Sequence, residues 1–195
     1  KGEVSLIYGV AATGKTTLGM LASVEEAKKG RVFFLDTEGG FSVDRVEQMC
    51  REETSKVLEN IFILSAKDFD EQEEKVNLLV NILGRVKTSL IVVDTLGMHY
   101  RKKLKEDNHK LINARVRRML DELNRVARQY DVAVLVNNQV YHDFEGEVKM
   151  VGGDMVKGKA ENCIKLENNG ERFALVDGKK FKFEIVDEGI KAISL

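Results

Sequence analysis

The stretch Gly9-Val10-Ala11-Ala12-Thr13-Gly14-Lys15-Thr16 follows an apolar run at residues 4–8 and opens a helical pattern at residues 17–22. Its spacing, G-x-x-x-x-G-K-T between a strand and a helix, is typical of a phosphate-binding loop. In such a loop, successive backbone N–H groups and the positive end of the helix converge on phosphate oxygens. The stretch therefore predicts a strand–loop–helix unit that binds a nucleoside triphosphate. The alternative is a glycine-rich turn that binds nothing.

The last residues of this loop predict how a nucleotide would be held. We expect Lys15 to place a positive charge near the terminal phosphates and Thr16 to offer its hydroxyl to a Mg²⁺ ion that bridges them. The backbone around these two residues is expected to contact the nucleotide as well. The predicted nucleotide-binding residues of the loop are Gly9, Val10, Ala11, Ala12, Thr13, Gly14, Lys15, Thr16 and Thr17.

Composition limits the class of protein. A chain of 195 residues, 43% hydrophobic and 32% charged, predicts one globular domain. A net charge of −1 gives no global attraction to nucleic acid, so any such binding must come from a local patch. Cys50 and Cys163 form neither a disulfide framework nor a metal-ligand pattern, which favours a reduced, cytoplasmic setting. No apolar run approaches the length of about 20 residues that a membrane span needs.

Beyond the loop, apolar strands alternate with amphipathic helices, which predicts an α/β fold. We expect the first helix to end near Lys29, before Gly30. Further strands are expected at residues 31–36, 61–64, 90–94 and 132–136, and further helices at residues 42–52, 68–86 and 108–130. Strands separated by helices of this length predict a mostly parallel sheet with helices on both faces, over residues 1–140.

The end of the chain has a different pattern. Three short apolar segments, at residues 163–166, 172–176 and 180–185, are separated by Asn169-Gly170 and Asp177-Gly178. Both dipeptides favour tight hairpin turns. We therefore expect an antiparallel extension over residues 160–195, within a single domain that spans residues 1–195.

Polar residues lie at the ends of three of the expected parallel strands, where open α/β sheets bind their ligands. Asp94 ends the fourth strand, where it could hold a water on Mg²⁺, or simply cap a turn. Glu38 follows the second strand and could polarise a water that attacks the terminal phosphate, or be an ordinary loop acid. Gln139 follows the fifth strand and could hydrogen-bond that phosphate, although amides are common there.

Several motifs together resemble a known family: Asp36-Thr37-Glu38-Gly39-Gly40-Phe41-Ser42 with Arg45, residues 63–72, Val92-Val93-Asp94 with His99-Tyr100-Arg101, Asn138-Gln139-Val140, and Val151-Gly152-Gly153. Their order and spacing are similar to those of the archaeal RecA-like recombinases, above all the RadB group, short relatives of RadA without the helix–hairpin–helix domain. The resemblance covers nearly the whole chain. It implies a RecA-like ATPase core that binds ATP, Mg²⁺ and DNA and takes part in homologous recombination beside a RadA-like recombinase or another repair protein.

The resemblance also implies roles for single residues. Glu38 corresponds to the catalytic glutamate, Asp94 to the magnesium-site aspartate and Gln139 to the phosphate-sensing glutamine, and they would act with Lys15. Arg45 matches an arginine that stacks on the adenine, although on its own it could be a solvated helix charge.

The DNA-binding loops of the family follow the fourth and fifth strands. The first corresponds to Tyr100-Arg101-Lys102-Lys103-Leu104-Lys105. Its cations Arg101, Lys102, Lys103 and Lys105 could contact phosphates and Tyr100 a base, although a basic loop is often only solvated. The second loop, at residues 141–150, carries Asp143, Glu145 and Glu147, which disfavour a DNA backbone. We therefore expect weak binding, with single-stranded DNA favoured.

The chain departs from the RadB pattern near its end. Val176-Asp177-Gly178-Lys179-Lys180 forms a tight hairpin where relatives carry a Lys-x-Arg element, whose cations reach the nucleotide of a neighbouring subunit. Lys179 and Lys180 could substitute for those cations. The departure favours weak ATP hydrolysis and leaves oligomerisation as a possibility.

Two further features keep other functions open. The chain starts at Lys1, and it contains no proline, where average usage of about 5% would give roughly ten. The start at Lys1 suggests that a segment ahead of it is missing, and the lack of proline leaves two alternatives, a natural chain or an engineered or reconstructed one. The alternatives are therefore a non-enzymatic scaffold on a RecA-like core and a small-molecule kinase that shares the phosphate-binding loop.

Overall fold

The computed structural model describes residues 1–142 and 148–194. Asp143, Glu145 and Glu147, which the sequence places in the second DNA-binding loop, lie outside these residues. Within the described ranges, the helices are α1 (Lys15–Ala27), α2 (Val43–Cys50), α3 (Thr54–Leu58), α4 (Phe69–Ile82), α5 (Gly97–Glu106), α6 (His109–Tyr130) and α7 (Gly153–Lys157). The strands are β1 (Val4–Gly9), β2 (Arg31–Asp36), β3 (Ile61–Ser65), β4 (Thr88–Asp94), β5 (Ala133–His142), β6 (Val148–Met150), β7 (Asn162–Asn168), β8 (Arg172–Val176), β9 (Lys179–Val186) and β10 (Gly189–Ile193).

The strands form one sheet in the order β10-β9-β8-β7-β1-β5-β4-β2-β3, and β6 pairs with the end of β5. From β3 to β7 the neighbouring strands run parallel, and from β7 to β10 they run antiparallel. This topology confirms the predicted α/β fold with its antiparallel extension. β7 joins the two parts of the sheet, because it pairs parallel to β1 and antiparallel to β8. The structure also adds β10, which begins at Gly189.

Two hydrophobic clusters hold the helices against opposite faces of the parallel strands. Phe33 and Leu35 pack with α4 and α6, whereas Val32 and Phe34 pack with α1, α2 and α3. The clusters take alternate residues of the same strand because successive side chains of a strand point to opposite faces. Every residue of β4 is buried, as expected for an apolar strand at the centre of a parallel sheet.

Side-chain caps start the helices at the residues that the sequence indicates. The Ser42 side chain accepts a hydrogen bond from the Arg45 N–H, and the Asp68 carboxylate accepts one from the Glu71 N–H at 2.8 Å. Asn108 caps α6 in the same way. The helix ends differ more from the sequence prediction than the starts do. The helix α2 ends at Cys50, because Arg51 has a φ of +50°, and a separate helix, α3, follows.

Two differences from the sequence prediction change the functional surface. Residues 100–105, expected to be a basic loop, lie within α5, and Tyr100 is only 2% exposed. Its hydroxyl donates to Asn113 Oδ1 at 2.7 Å, so the expectation that Tyr100 stacks on a base was wrong. In addition, β5 continues to His142, so Gln139 lies within a strand rather than after one.

Candidate functional site

The phosphate-binding loop joins the end of β1 to the start of α1, and its two glycines are required by their surroundings. A Cβ on Gly9 would lie 2.4 Å from the carbonyl oxygen of Leu166 in β7, which is impossible for a side chain. Gly14 has a φ of +104°, which favours glycine. No side chain of the described residues caps α1, so its first N–H groups can bind an anion.

Lys15 lies inside the loop. The side chain is 8% exposed, and its ammonium donates hydrogen bonds to the carbonyl oxygens of Gly9 at 2.9 Å and Val10 at 2.8 Å. Burial lowers the pKa of Lys15, and the negative charges of Asp94 and Glu38 partly oppose that effect. Because its hydrogen-bond partners are neutral carbonyls, the cation can exchange them for phosphate oxygens.

Asp94 lies at the end of β4, behind the loop. Its carboxylate is 3% exposed, and Oδ1 has no hydrogen-bond partner. Burial raises the pKa of Asp94, and the hydroxyl of Thr16 lowers it to a smaller extent. A buried carboxylate oxygen without a partner, beside a threonine hydroxyl, is the type of hard-oxygen donor set that Mg²⁺ prefers. These two residues therefore fit a magnesium ion.

Glu38 is held by two elements at once. Gln139 Nε2 in β5 donates to Glu38 Oε1 at 2.5 Å, and the Thr95 hydroxyl after β4 donates to the same oxygen at 2.8 Å. The buried carboxylate of Asp36 accepts the backbone N–H groups of residues 38–40 on Oδ1 and that of Phe41 on Oδ2. Asp36 thus fixes the turn that carries Glu38. Sequence reasoning missed this role of Asp36.

These residues surround a cavity of about 550 Å³. The structure brings together Lys15, Thr16, Glu38 and Gln139 from the predicted set, and Asp94 lies buried behind them. It also adds Thr95 and two residues of the antiparallel extension that sequence reasoning missed, Arg172 in β8 and Ile185 in β9. The lining comprises Gly9, Ala11, Ala12, Gly14, Lys15, Thr16, Thr17, Glu38, Thr95, Gln139, Val140, Arg172 and Ile185.

Arg45 contacts the antiparallel extension. Its guanidinium donates hydrogen bonds to the carbonyl oxygens of Val186 and Asp187, which ties α2 to the turn between β9 and β10. The described residues that line the cavity do not include Arg45. Adenine stacking by Arg45 stays a prediction.

The chain matches known proteins over almost its whole length. The Rad51 family model matches residues 1–182. The chain belongs to the Rad51 family. Among its relatives are proteins named DNA repair and recombination protein RadB from Thermococcus sibiricus, 34% identical over 99% of this chain and 88% of that protein, and from Methanocaldococcus jannaschii, 31% identical over 99% and 94%.

A solved structure shares the fold of this Rad51-family chain. The crystal structure of the RadB recombinase matches with a TM-score of 0.81 at 27% identity, and covers 99% of this chain and 91% of that one. The predicted resemblance to the RadB group is therefore confirmed. The small-molecule kinase alternative gains no support from these matches. No helix in the described ranges is both long and apolar enough to cross a membrane.

The four cations predicted to bind DNA divide between two sides of α5 in this Rad51-family chain. The Arg101 guanidinium lies 5.6 Å from the centre of the Tyr141 ring, and Lys105 is one helical turn further along the same side. Lys103 instead lies 3.4 Å from a carboxylate oxygen of Asp70 in α4, and Lys102 borders the same small cavity as Lys103. DNA binding by all four cations stays a prediction.

A second cavity, of about 570 Å³, lies where α5 meets the hairpin of β5 and β6. Its lining includes three tyrosine rings and two lysines, and comprises Tyr8, Tyr100, Leu104, His109, Asn113, Tyr141, Lys149, Met150, Gly152, Gly153, Asp154 and Lys157. Rings and cations in one concave surface are the features that bind single-stranded nucleic acid. Sequence reasoning missed His109 and Lys157, because no local pattern links them to the loop.

We predict that Asp94→Asn makes the nucleotide-free protein more stable at pH 7, by about 1 kcal/mol, at the expense of its function. The raised pKa means that the folded state binds this proton more tightly than the unfolded state, so the wild type loses stability as pH rises through the folded-state pKa. Urea unfolding of both proteins at pH 7 and at successively lower pH measures the difference, which should shrink as pH falls through the raised pKa of Asp94. A variant less stable than the wild type at pH 7 would contradict this account.

Proposed function

We propose that this chain is an ATP-binding and DNA-binding protein of homologous recombination and DNA repair, with weak ATP hydrolysis. It acts in the cytoplasm beside a RadA-like recombinase or another repair protein. The family assignment and the names of the RadB relatives support the biological role. The observation that carries the biochemical role is the hydrogen bond between Glu38 and Gln139 at the mouth of the loop cavity.

The loop cavity is the proposed ATP site. Lys15 and the N–H groups at the start of α1 would bind the phosphates, and Thr16 and Asp94 would hold Mg²⁺. When bound, the ion neutralises phosphate charge. The carbonyl groups that now accept from Lys15 are neutral, so a phosphate oxygen is a stronger partner for this cation.

Glu38 is the proposed base that orients a water and accepts its proton. Thr95 and Gln139 both donate to one oxygen, Oε1, which leaves Oε2 as the oxygen for the water. Those two donors fix the orientation of the carboxylate, so that Oε2 can face the water.

Gln139 links the ATP site to the second cavity. The Gln139 carbonyl accepts from the Val151 N–H at 3.0 Å, and the neighbouring Asn138 side chain donates to the Val151 carbonyl at 2.8 Å. Two residues after Gln139, Tyr141 lines the second cavity. If the Gln139 amide turns from Glu38 to a phosphate, β5 and the segment at Val151 are the elements that would respond. We propose that ATP changes DNA affinity in this way.

The second cavity is the proposed DNA site, with single strands favoured. Tyr8 and Tyr141 offer ring surface for stacking, and Arg101 over Tyr141 adds a cation for a neighbouring phosphate. A duplex would not present unstacked bases to such a cavity. The cations on the other side of α5 are less available, since Lys103 faces Asp70.

Because the four cations lie on two sides of α5, we predict that two pairs of substitutions differ in their effect on DNA affinity. Arg101→Ala with Lys105→Ala should weaken binding to a labelled single strand by about tenfold at low salt, and reduce the slope of log K against log salt by about 1.4. The matched control, Lys102→Ala with Lys103→Ala, removes the same charge and should change the affinity by less than about threefold. Fluorescence anisotropy at several salt concentrations measures both. Equal losses of DNA affinity in the two double variants would contradict the proposed location of the DNA site.

A further inference from the structure

Arg172 is a cation of the antiparallel extension that faces the ATP cavity. It is the first residue of β8 and lies opposite Asn168 of β7 and Phe183 of β9. The residue is half-buried, and its Nε is fully buried without a hydrogen-bond partner. A buried N–H group without a partner is rare in a native protein, and a ligand or a bound water can supply the acceptor.

Unlike Arg172, three other cations of the extension each contact a carboxylate or an aromatic ring within the described part of the chain. Lys165 lies 2.7 Å from a carboxylate oxygen of Glu167, and Lys182 pairs with Glu171. Lys180 lies over the Phe173 ring, 4.0 Å from its centre. Arg172 has no ion pair with a carboxylate among the residues that the structure describes. Lys179 and Lys180, which could have supplied cations to a nucleotide, do not line the cavity within this chain.

The charge of the cavity suits a polyphosphate. Lys15 and Arg172 contribute two positive charges to the lining, and Glu38 contributes one negative charge. The triphosphate of ATP keeps a net negative charge after it binds Mg²⁺, and a guanidinium can donate two parallel hydrogen bonds to phosphate oxygens. The chemistry of the site therefore favours an anion beside Arg172.

The extension is already packed against the loop, so Arg172 needs no large movement to reach a ligand. A Cβ on Gly14 of the loop would lie 3.1 Å from Ile185 Cδ1 in β9. A Cβ on Gly189, the first residue of β10, would lie 2.9 Å from Leu21 Cδ1 in α1. Arg45 adds hydrogen bonds from α2 to the turn between β9 and β10. The loop and the extension thus form one packed unit.

We propose that Arg172 binds the phosphates of ATP in cis, on the same chain that supplies Lys15, so that β8 completes the nucleotide site. This inference rests on the proposed ATP function of the loop. It assigns a phosphate-binding role to the antiparallel extension without a neighbouring subunit.

Calorimetric titration of the full chain with ATP and MgCl₂ tests the proposal. Arg172→Met should weaken ATP binding by about tenfold or more and reduce the salt dependence of Kd, because a charge contact is lost. Arg172→Lys keeps the charge and should lose about threefold to fivefold, because it lacks the planar fork. The matched control, Lys182→Met in the same extension, removes a cation outside the cavity and should change Kd by less than about twofold.

The outcomes separate this inference from the proposed function. If the Arg172→Met variant binds ATP with the same Kd and the same salt dependence as the wild type, the inference is overturned. This holds even if Lys15→Ala loses ATP binding. A wild type that does not bind ATP overturns the proposed function and the inference together. Thermal unfolding without nucleotide checks the fold of each variant. If Arg172→Met does not fold, Arg172→Gln replaces it, with the same expected loss and the same contradicting result.

Discussion

We expect Lys15→Ala to weaken ATP binding by about 100-fold, the largest loss of affinity among the single substitutions considered. The ammonium of Lys15 is buried within the loop and has only carbonyl partners there, so its charge is available to a phosphate. Alanine removes that charge where little water can replace it. Calorimetric titration with ATP and MgCl₂ measures the change.

A matched control separates the site effect from a general effect of charge. Lys29→Ala removes an exposed lysine that follows α1 and pairs with Glu26 at 2.6 Å, and should leave Kd unchanged within about twofold. The nucleotide-free Lys15→Ala protein should unfold at the same urea concentration as the wild type or a higher one, because burial disfavours the Lys15 charge. Retention of ATP affinity within about threefold would remove the phosphate-binding role of Lys15.

We expect Glu38→Gln to slow ATP turnover by about 100-fold while ATP affinity stays within about threefold of the wild type. Glutamine keeps the size of the side chain and can still accept the hydrogen bonds of Thr95 and Gln139, but it cannot accept a proton from water. Single-turnover measurements with excess protein give the rate of the chemical step.

The control for this experiment is Glu47→Gln, an exposed glutamate in α2, which should turn over ATP at the wild-type rate. If the wild type turns over ATP no faster than Glu38→Gln, the chain is a nucleotide-binding scaffold rather than an ATPase. That result would reject the proposed role of Glu38 without affecting the role of Lys15.

Local sequence patterns predicted the phosphate-binding loop and the strands around it, because the structure of these segments depends on their own residues. Gly9 and Gly14 need conformations or contacts that side chains exclude, and the spacing to Lys15 follows from the turn itself. Similarly, an apolar run such as residues 90–94 is buried on both faces of the sheet. The order and spacing of the motifs then indicated the family that the comparisons confirm.

Contacts between distant segments were not predictable in the same way. Gln139 was expected after a strand, but β5 continues because it pairs with β6, a segment with little pattern of its own. The basic run predicts that Tyr100 contacts a base, yet its ring lies on the buried side of α5, one turn from Leu96 and one turn from Leu104. Arg172 reaches the ATP cavity only because β7 lies beside β1.

The measurement that tests the central claim most directly is titration of a labelled single-stranded oligonucleotide with the wild type, with and without ATP and Mg²⁺, at two salt concentrations. The account predicts that ATP changes the DNA affinity, because Gln139 belongs both to the proposed ATP cavity and to the strand that continues into the proposed DNA site. It also predicts that affinity falls steeply with salt, as phosphate contacts require. A DNA affinity that is the same with and without ATP and does not respond to salt would contradict the account.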